Sequence, residues 1–209
     1  MSALFISALV TFFVVIDPPG CAPIFAGLTA GTSPQHQRTM AVRSTLVAAS
    51  ILLFFAMLGQ RLLGAMGVSL DSFRIAGGIM LFLIALEMVF EKRTERRTNR
   101  AEDVKAHPEH EDISVFPMAI PMIAGPGSIA SVMLMTARSK SFEEALMVLG
   151  ALAAVLIVNF ASMVAAGPLM KMLGYKIEAM ITRILGVVLA ALAAQFVVDG
   201  LKASFGITG

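Results

Sequence analysis

Apolar residues fall into six long blocks along this chain, separated by short polar stretches and by one long charged one. Windows of about 20 residues, the length at which a helix crosses a hydrocarbon core, predict spans at Ala3–Thr29, Met40–Leu58, Phe73–Phe90, Ile113–Ala137, Glu144–Gly167 and Ile181–Val198. The third and sixth are uninterrupted. The first and fourth are broken, by Ile16-Asp17-Pro18-Pro19-Gly20-Cys21 and by Ile123-Ala124-Gly125-Pro126-Gly127-Ser128. In lipid every backbone amide needs an internal partner, so proline and glycine at depth free groups that only protein or a water-filled cavity tolerates. Discontinuous helices of this kind build binding sites in transporters. Polar punctuation marks two other helix starts. Ser33-Pro34 puts proline at a first helical position, and Ser141-Phe142-Glu143-Glu144 has the form of a capping box.

The breaks lie 107 residues apart when Pro19-Gly20 is set on Pro126-Gly127. At that offset Leu62 meets Leu169, Gly67 meets Gly174, and Asp71 meets Glu178. At an offset of 109, Arg74-Ile75-Ala76-Gly77 meets Arg183-Ile184-Leu185-Gly186. Each copy holds three spans, an odd number, so the second copy must enter the bilayer upside down relative to the first. The expected fold is all-α, six transmembrane helices as a 3+3 inverted repeat with helices 1 and 4 broken. Its parts are residues 1–90, a charged linker 91–112, and residues 113–209. At about 1.5 Å per residue, both breaks fall slightly beyond mid-depth, approached from opposite faces, and are placed to meet near the centre.

Composition supports the membrane assignment. Hydrophobic residues make up 57% of the chain and charged residues 14%, with mean hydropathy +0.84; a soluble domain carries about 25% charge. Met1–Ile16 has no basic start and no small-residue cleavage site before Asp17, so it is expected to open a span rather than to be a signal peptide. With both termini outside, eleven Lys and Arg fall on the inside and five on the outside, which places the termini in the periplasm. The linker Glu91–Asp112 sets six bases against seven acids and is expected to be solvated cytoplasmic chain. One cysteine excludes an internal disulfide. No histidine lies in a span, which removes bis-histidine haem ligation, and no Walker loop supplies a nucleotidase. His107 and His110 in the linker are weak as metal ligands, and no metal site is expected.

Asp17 is the sharpest candidate residue. A carboxylate at membrane depth costs about 3 kcal/mol or more and needs an interior partner. It is suited to face a substrate ammonium or a coupling proton, or to cap the half-helix that opens at Pro18, through the amides of Gly20 and Cys21. The Gly20-Cys21 and Gly127-Ser128 amides each open a half-helix whose positive end favours a substrate carboxylate. Pro18, Pro19, Gly125 and Pro126 make the breaks. Ser131 and Thr11 add hydroxyls, although Thr11 can also bond its own i−4 carbonyl. Asn159 and Gln195 suit interhelical hydrogen bonds as well as ligands. Asp71 and Glu178 are placed to pair with Arg74 and Arg183, and Glu87 to reach the interface.

Asp17-Pro18-Pro19-Gly20-Cys21-Ala22-Pro23-Ile24-Phe25 resembles the Asp-Pro-x-Gly-x-x-Pro-x-Phe signature of the MarC family of six-span bacterial inner-membrane proteins. Pro117 to Ile129 is similar to that family's second signature, in span four. The resemblance covers essentially the whole chain. It implies a multi-pass protein of the cytoplasmic membrane related to SnatA-type transporters of small neutral amino acids. The expectation is secondary transport of a small zwitterion such as glycine, alanine or serine by alternating access, with the half-helix amides on the carboxylate and Asp17 on the ammonium. The residues name no cofactor and no nucleic-acid partner, and they leave open proton or sodium coupling and homo-oligomer formation. An intramembrane enzyme is disfavoured because no base lies at depth beside Ser128. A scaffold or regulatory role, or export of another metabolite or drug, are the competing readings.

Overall fold

The computed structural model describes residues 2–106 and 112–207, and these are helices joined by short turns, with no strand among them. The first span is α1 (Ser2–Ile16) followed at once by α2 (Pro18–Leu28). After it come α3 (Pro34–Ala65), α4 (Leu70–Val89) and α5 (Lys92–Ala106). A π-helical segment, Ser114–Ile123, leads into α6 (Pro126–Ala137), and α7 (Phe142–Val164) and α8 (Ala166–Ser204) close the chain. Five helices are long and apolar enough to cross a membrane, and a sixth span results when the π segment and α6, bent by 53°, are taken together. Each of the six predicted blocks overlaps one of these. His107 and His110 lie outside the described residues.

Local chemistry explains the boundaries. Ser33, Ser69 and Ser141 cap α3, α4 and α7, each side chain accepting from the amide three residues on. Glu144 completes only part of a capping box, because its carboxylate takes the amide of Lys140 at 2.7 Å rather than that of Ser141. The outer faces carry Ile6, Leu46, Met57, Ile157 and Ile184, all well exposed and apolar, as lipid contact requires.

Packing pairs the helices in a matched way. The α1–α2 span lies on α7, while the π segment and α6 lie on α3. The α4 and α8 helices form the most extensive contact. Glycines permit that approach: a β-carbon at Gly78 would lie 2.9 Å from the Ala193 carbonyl, and one at Gly186 would lie 3.1 Å from that of Ala85. At the centre, Phe12, Ile16, Phe25, Leu81, Ile123 and Leu134 are fully or almost fully buried.

Two elements differ from expectation. The π segment is not a straight half-span: Phe116 and Ile120 have extended backbones inside it, since the residue before proline is pushed out of the helical region. The linker is helical over Lys92–Ala106, and one face of it is not solvated. Arg93, Arg97 and Ala101, four residues apart, are buried on it, and α5 packs on α2, α4 and the π segment.

Candidate functional site

At the first break Asp17 adopts a left-handed conformation, φ 61° and ψ 66°, that turns the chain from α1 into α2. Aspartate tolerates this region better than bulkier residues do. One carboxylate oxygen accepts from the Gly20 amide at 3.2 Å, so Asp17 caps α2. The other faces Arg97 Nη1 at 2.9 Å, with Asp17 1% and Arg97 9% exposed. Glycine at position 20 is required by this pair. A β-carbon there would overlap Asp17 Oδ2 and lie 2.9 Å from Arg97 Nη1.

Arg93 stands one helical turn before Arg97 and is 8% exposed. Its guanidinium donates to the Val15 carbonyl at 2.6 Å, a carbonyl loosened by the break, and lies 3.0 Å from the Met88 sulfur. Burial, with Arg97 alongside, draws its pKa down to about 10, so Arg93 is cationic at neutral pH. Arg96 grips Glu87 with both terminal nitrogens, at 2.8 and 2.6 Å, on an exposed face.

The second break faces these arginines. Ala124 ends the π segment, Gly125 precedes α6 with no side-chain cap, and Pro126 takes the first helical position. Gly127 packs against the first break, since a β-carbon on it would lie 3.3 Å from Val15 and 2.5 Å from the Ile84 methyl. Between the breaks is a cavity of about 260 Å³ lined by Val15, Ile84, Arg93, Arg96, Arg97, Pro121, Met122 and residues 125–128. A larger groove of about 760 Å³ runs between α5 and α8, past Glu91, Glu95, Lys176, Glu178 and Arg183. It mixes both signs of charge and touches neither break.

A family model described as MarC family integral membrane protein matches residues 2–205. The chain belongs to the MarC family. Among its relatives, a UPF0056 membrane protein of Methanocaldococcus jannaschii is 33% identical, covering 95% of this chain and 96% of the relative. Another from Archaeoglobus fulgidus is 34% identical over 95% and 92%. The UPF0056 membrane protein YhcE of Escherichia coli is 33% identical over 92% and 89%. No solved structure matches the chain. As a MarC family member it is an integral membrane protein in contact with the bilayer.

Both MarC-like signatures therefore lie at the breaks, and Val15, just before the first break, meets Gly127 of the second, whereas Asp17, Gly20 and Cys21 do not line the cavity that Gly125, Pro126, Gly127 and Ser128 line. Cys21 is buried with its thiol directed at the Ile16 carbonyl, 3.5 Å away. Thr11 is buried and bonds the Ser7 carbonyl at 2.7 Å. Ser131 and Asn159 are buried, and the Ser131 hydroxyl and both amide atoms of Asn159 have no hydrogen-bond partner. None of Thr11, Ser131 and Asn159 lines the cavity.

Other expected pairs resolve differently. Asp71 pairs with Arg74 at 3.0 Å as expected. Arg183 takes Glu91 rather than Glu178, and Glu178 is buried with Thr182 donating to it at 3.4 Å. Gln195 bonds Asp199 one turn along its own helix, at 2.6 Å, rather than a neighbouring helix. Glu87 is held by Arg96. Sequence reasoning passed over Arg93, Arg96 and Arg97. Their signal was present, because arginines at 93, 96, 97 and 100 follow the i, i+3, i+4, i+7 spacing of one helix face.

Proposed function

We propose that this protein is a secondary transporter of a small carboxylate-bearing solute in the bacterial cytoplasmic membrane, working by alternating access. The observation that carries the proposal is a cavity of solute size at the second helix break, lined by three arginines of α5 and by Val15, which precedes the first break and rests on Gly127 of the second. Irregular backbone at membrane depth is tolerated where it lines such a cavity. Broken half-helices aimed at a shared site are a transporter's means of holding an anionic group and releasing it.

The matched packing lends support to an inverted repeat, in which α1–α2 on α7 mirrors the π segment and α6 on α3, with α4 against α8 between them. One three-span unit would rock on the other, with the termini outside. Small neutral amino acids and ammonium-free carboxylates of the same size are the two substrate classes to compare. Their carboxylate would meet Arg93 and the Gly127 and Ser128 amides. The site is read as binding without catalysis, since no histidine or lysine among the cavity residues can serve Ser128 as a base.

Counterflow in proteoliposomes tests this. Vesicles preloaded with alanine, serine or lactate should accumulate the labelled form of the same solute above protein-free vesicles. Uptake equal to protein-free vesicles for all three would overturn transport.

A further inference from the structure

We infer that the cavity between the breaks binds a small anion, a carboxylate or phosphate group on a molecule that carries no ammonium. The lining holds three arginines and, among the described residues, no acid. Among the described residues the acids whose charge reaches Arg93 are Asp17 and Glu87. Asp17 is already engaged by Arg97, and Glu87 by Arg96. Arg93 is left with a carbonyl and a thioether, neither of which carries charge. Glu178 is also buried and feels Asp17 and Arg97, but it lines the groove along another face of α5.

A guanidinium withdrawn from water is costly without a counter-charge. Its planar fork fits a carboxylate or phosphate with two parallel hydrogen bonds. Opposite it, the uncapped start of α6 contributes the positive end of a helix and the Ser128 hydroxyl. The guanidinium and the helix end favour an anion and repel an ammonium, which finds no carboxylate among the described lining residues to offset that repulsion. A volume of about 260 Å³ admits a molecule of a few heavy atoms rather than a drug-sized one. As a statement about the transported substrate this rests on the transport reading; as a statement about a binding site it does not.

Titration calorimetry on the full chain in phosphatidylcholine nanodiscs separates the cases, with lactate, alanine and inorganic phosphate as probes. Lactate and alanine share size and carboxylate and differ in hydroxyl against ammonium. Lactate and phosphate should bind at least about tenfold tighter than alanine, and Arg93→Gln should weaken both by about tenfold or more. Arg93→Lys should recover part of the phosphate affinity. Alanine binding as tightly as lactate, affinities unmoved by Arg93→Gln, or no binding of either anion would each overturn the site.

If Arg93→Gln does not fold, competition on the native chain decides. Phosphate must displace lactate at one site per chain and alanine must not; the reverse overturns the proposal. Phosphatidylglycerol added to the discs distinguishes a lipid headgroup, which would displace phosphate, from a free solute. Anion binding without counterflow removes transport and leaves the site. Alanine counterflow indifferent to Arg93 removes the site and leaves transport.

Discussion

At the first break the half-helix carries its own carboxylate; at the second, 107 residues on, the position matching Asp17 is Ala124. Asp17 caps α2 through Gly20 and neutralises Arg97. The start of α6 has no side-chain cap, and its glycine and serine face a cavity rich in arginine. The same backbone device is thus closed on itself at the first break and, in the proposed site, open to an outside anion at the second. The first break then works as a fastening for α5, and the second as the end that receives a ligand.

The sharpest way to break this comparison is Asp17→Asn. Asparagine tolerates the left-handed backbone and still caps a helix, so the substitution removes charge and little else. It leaves Arg97 buried without its partner, a loss of about 3–5 kcal/mol. Thermal unfolding in detergent should show a large fall in midpoint. Pairing it with Arg97→Gln should restore most of the loss, because neither charge is then stranded. A single variant as stable as the native chain would refute the fastening role.

That pair also shows what the sequence disclosed and what it hid. The spans and both breaks were legible because apolar windows and Pro-Gly punctuation are local signals. The arginine face of α5 was equally local, but the acids around it made the linker look balanced and solvated. Its partner Asp17 lies 80 residues earlier, and no periodicity reports a contact of that range. Spacing decides the smaller misses. Asp71 and Arg74 are three apart and share a helix face, whereas Glu178 and Arg183 are five apart and do not. The prolines at 117 and 121 announced an irregular fourth span without specifying a π coil.

A smaller effect comes from one substitution made at the two breaks, Gly20→Ala and Gly127→Ala. The added methyl at position 20 collides with the Asp17 carboxylate, which the cap and Arg97 hold in place. Forcing it in should cost about 1–3 kcal/mol of stability. At position 127 the obstacle is the end of the Ile84 side chain, which can rotate away. Unfolding should therefore register Gly20→Ala well above Gly127→Ala, while lactate binding should suffer more from Gly127→Ala. Equal stability losses at the two sites would mean that the breaks are built alike.

Ser128→Ala is the mildest probe and addresses the open end alone. Ser128 sits in the first turn of α6 and lines the cavity, and removing its oxygen leaves the backbone amides in place. Stability should change by less than about 0.5 kcal/mol. A hydroxyl that donates to a bound anion contributes about 1 kcal/mol, so lactate affinity should fall roughly fivefold. A stability loss with unchanged affinity would make Ser128 a packing residue and shift the binding onto Arg93 and the amides. An affinity loss with unchanged stability would place the anion at the start of α6, in the role that Asp17 fills at the start of α2.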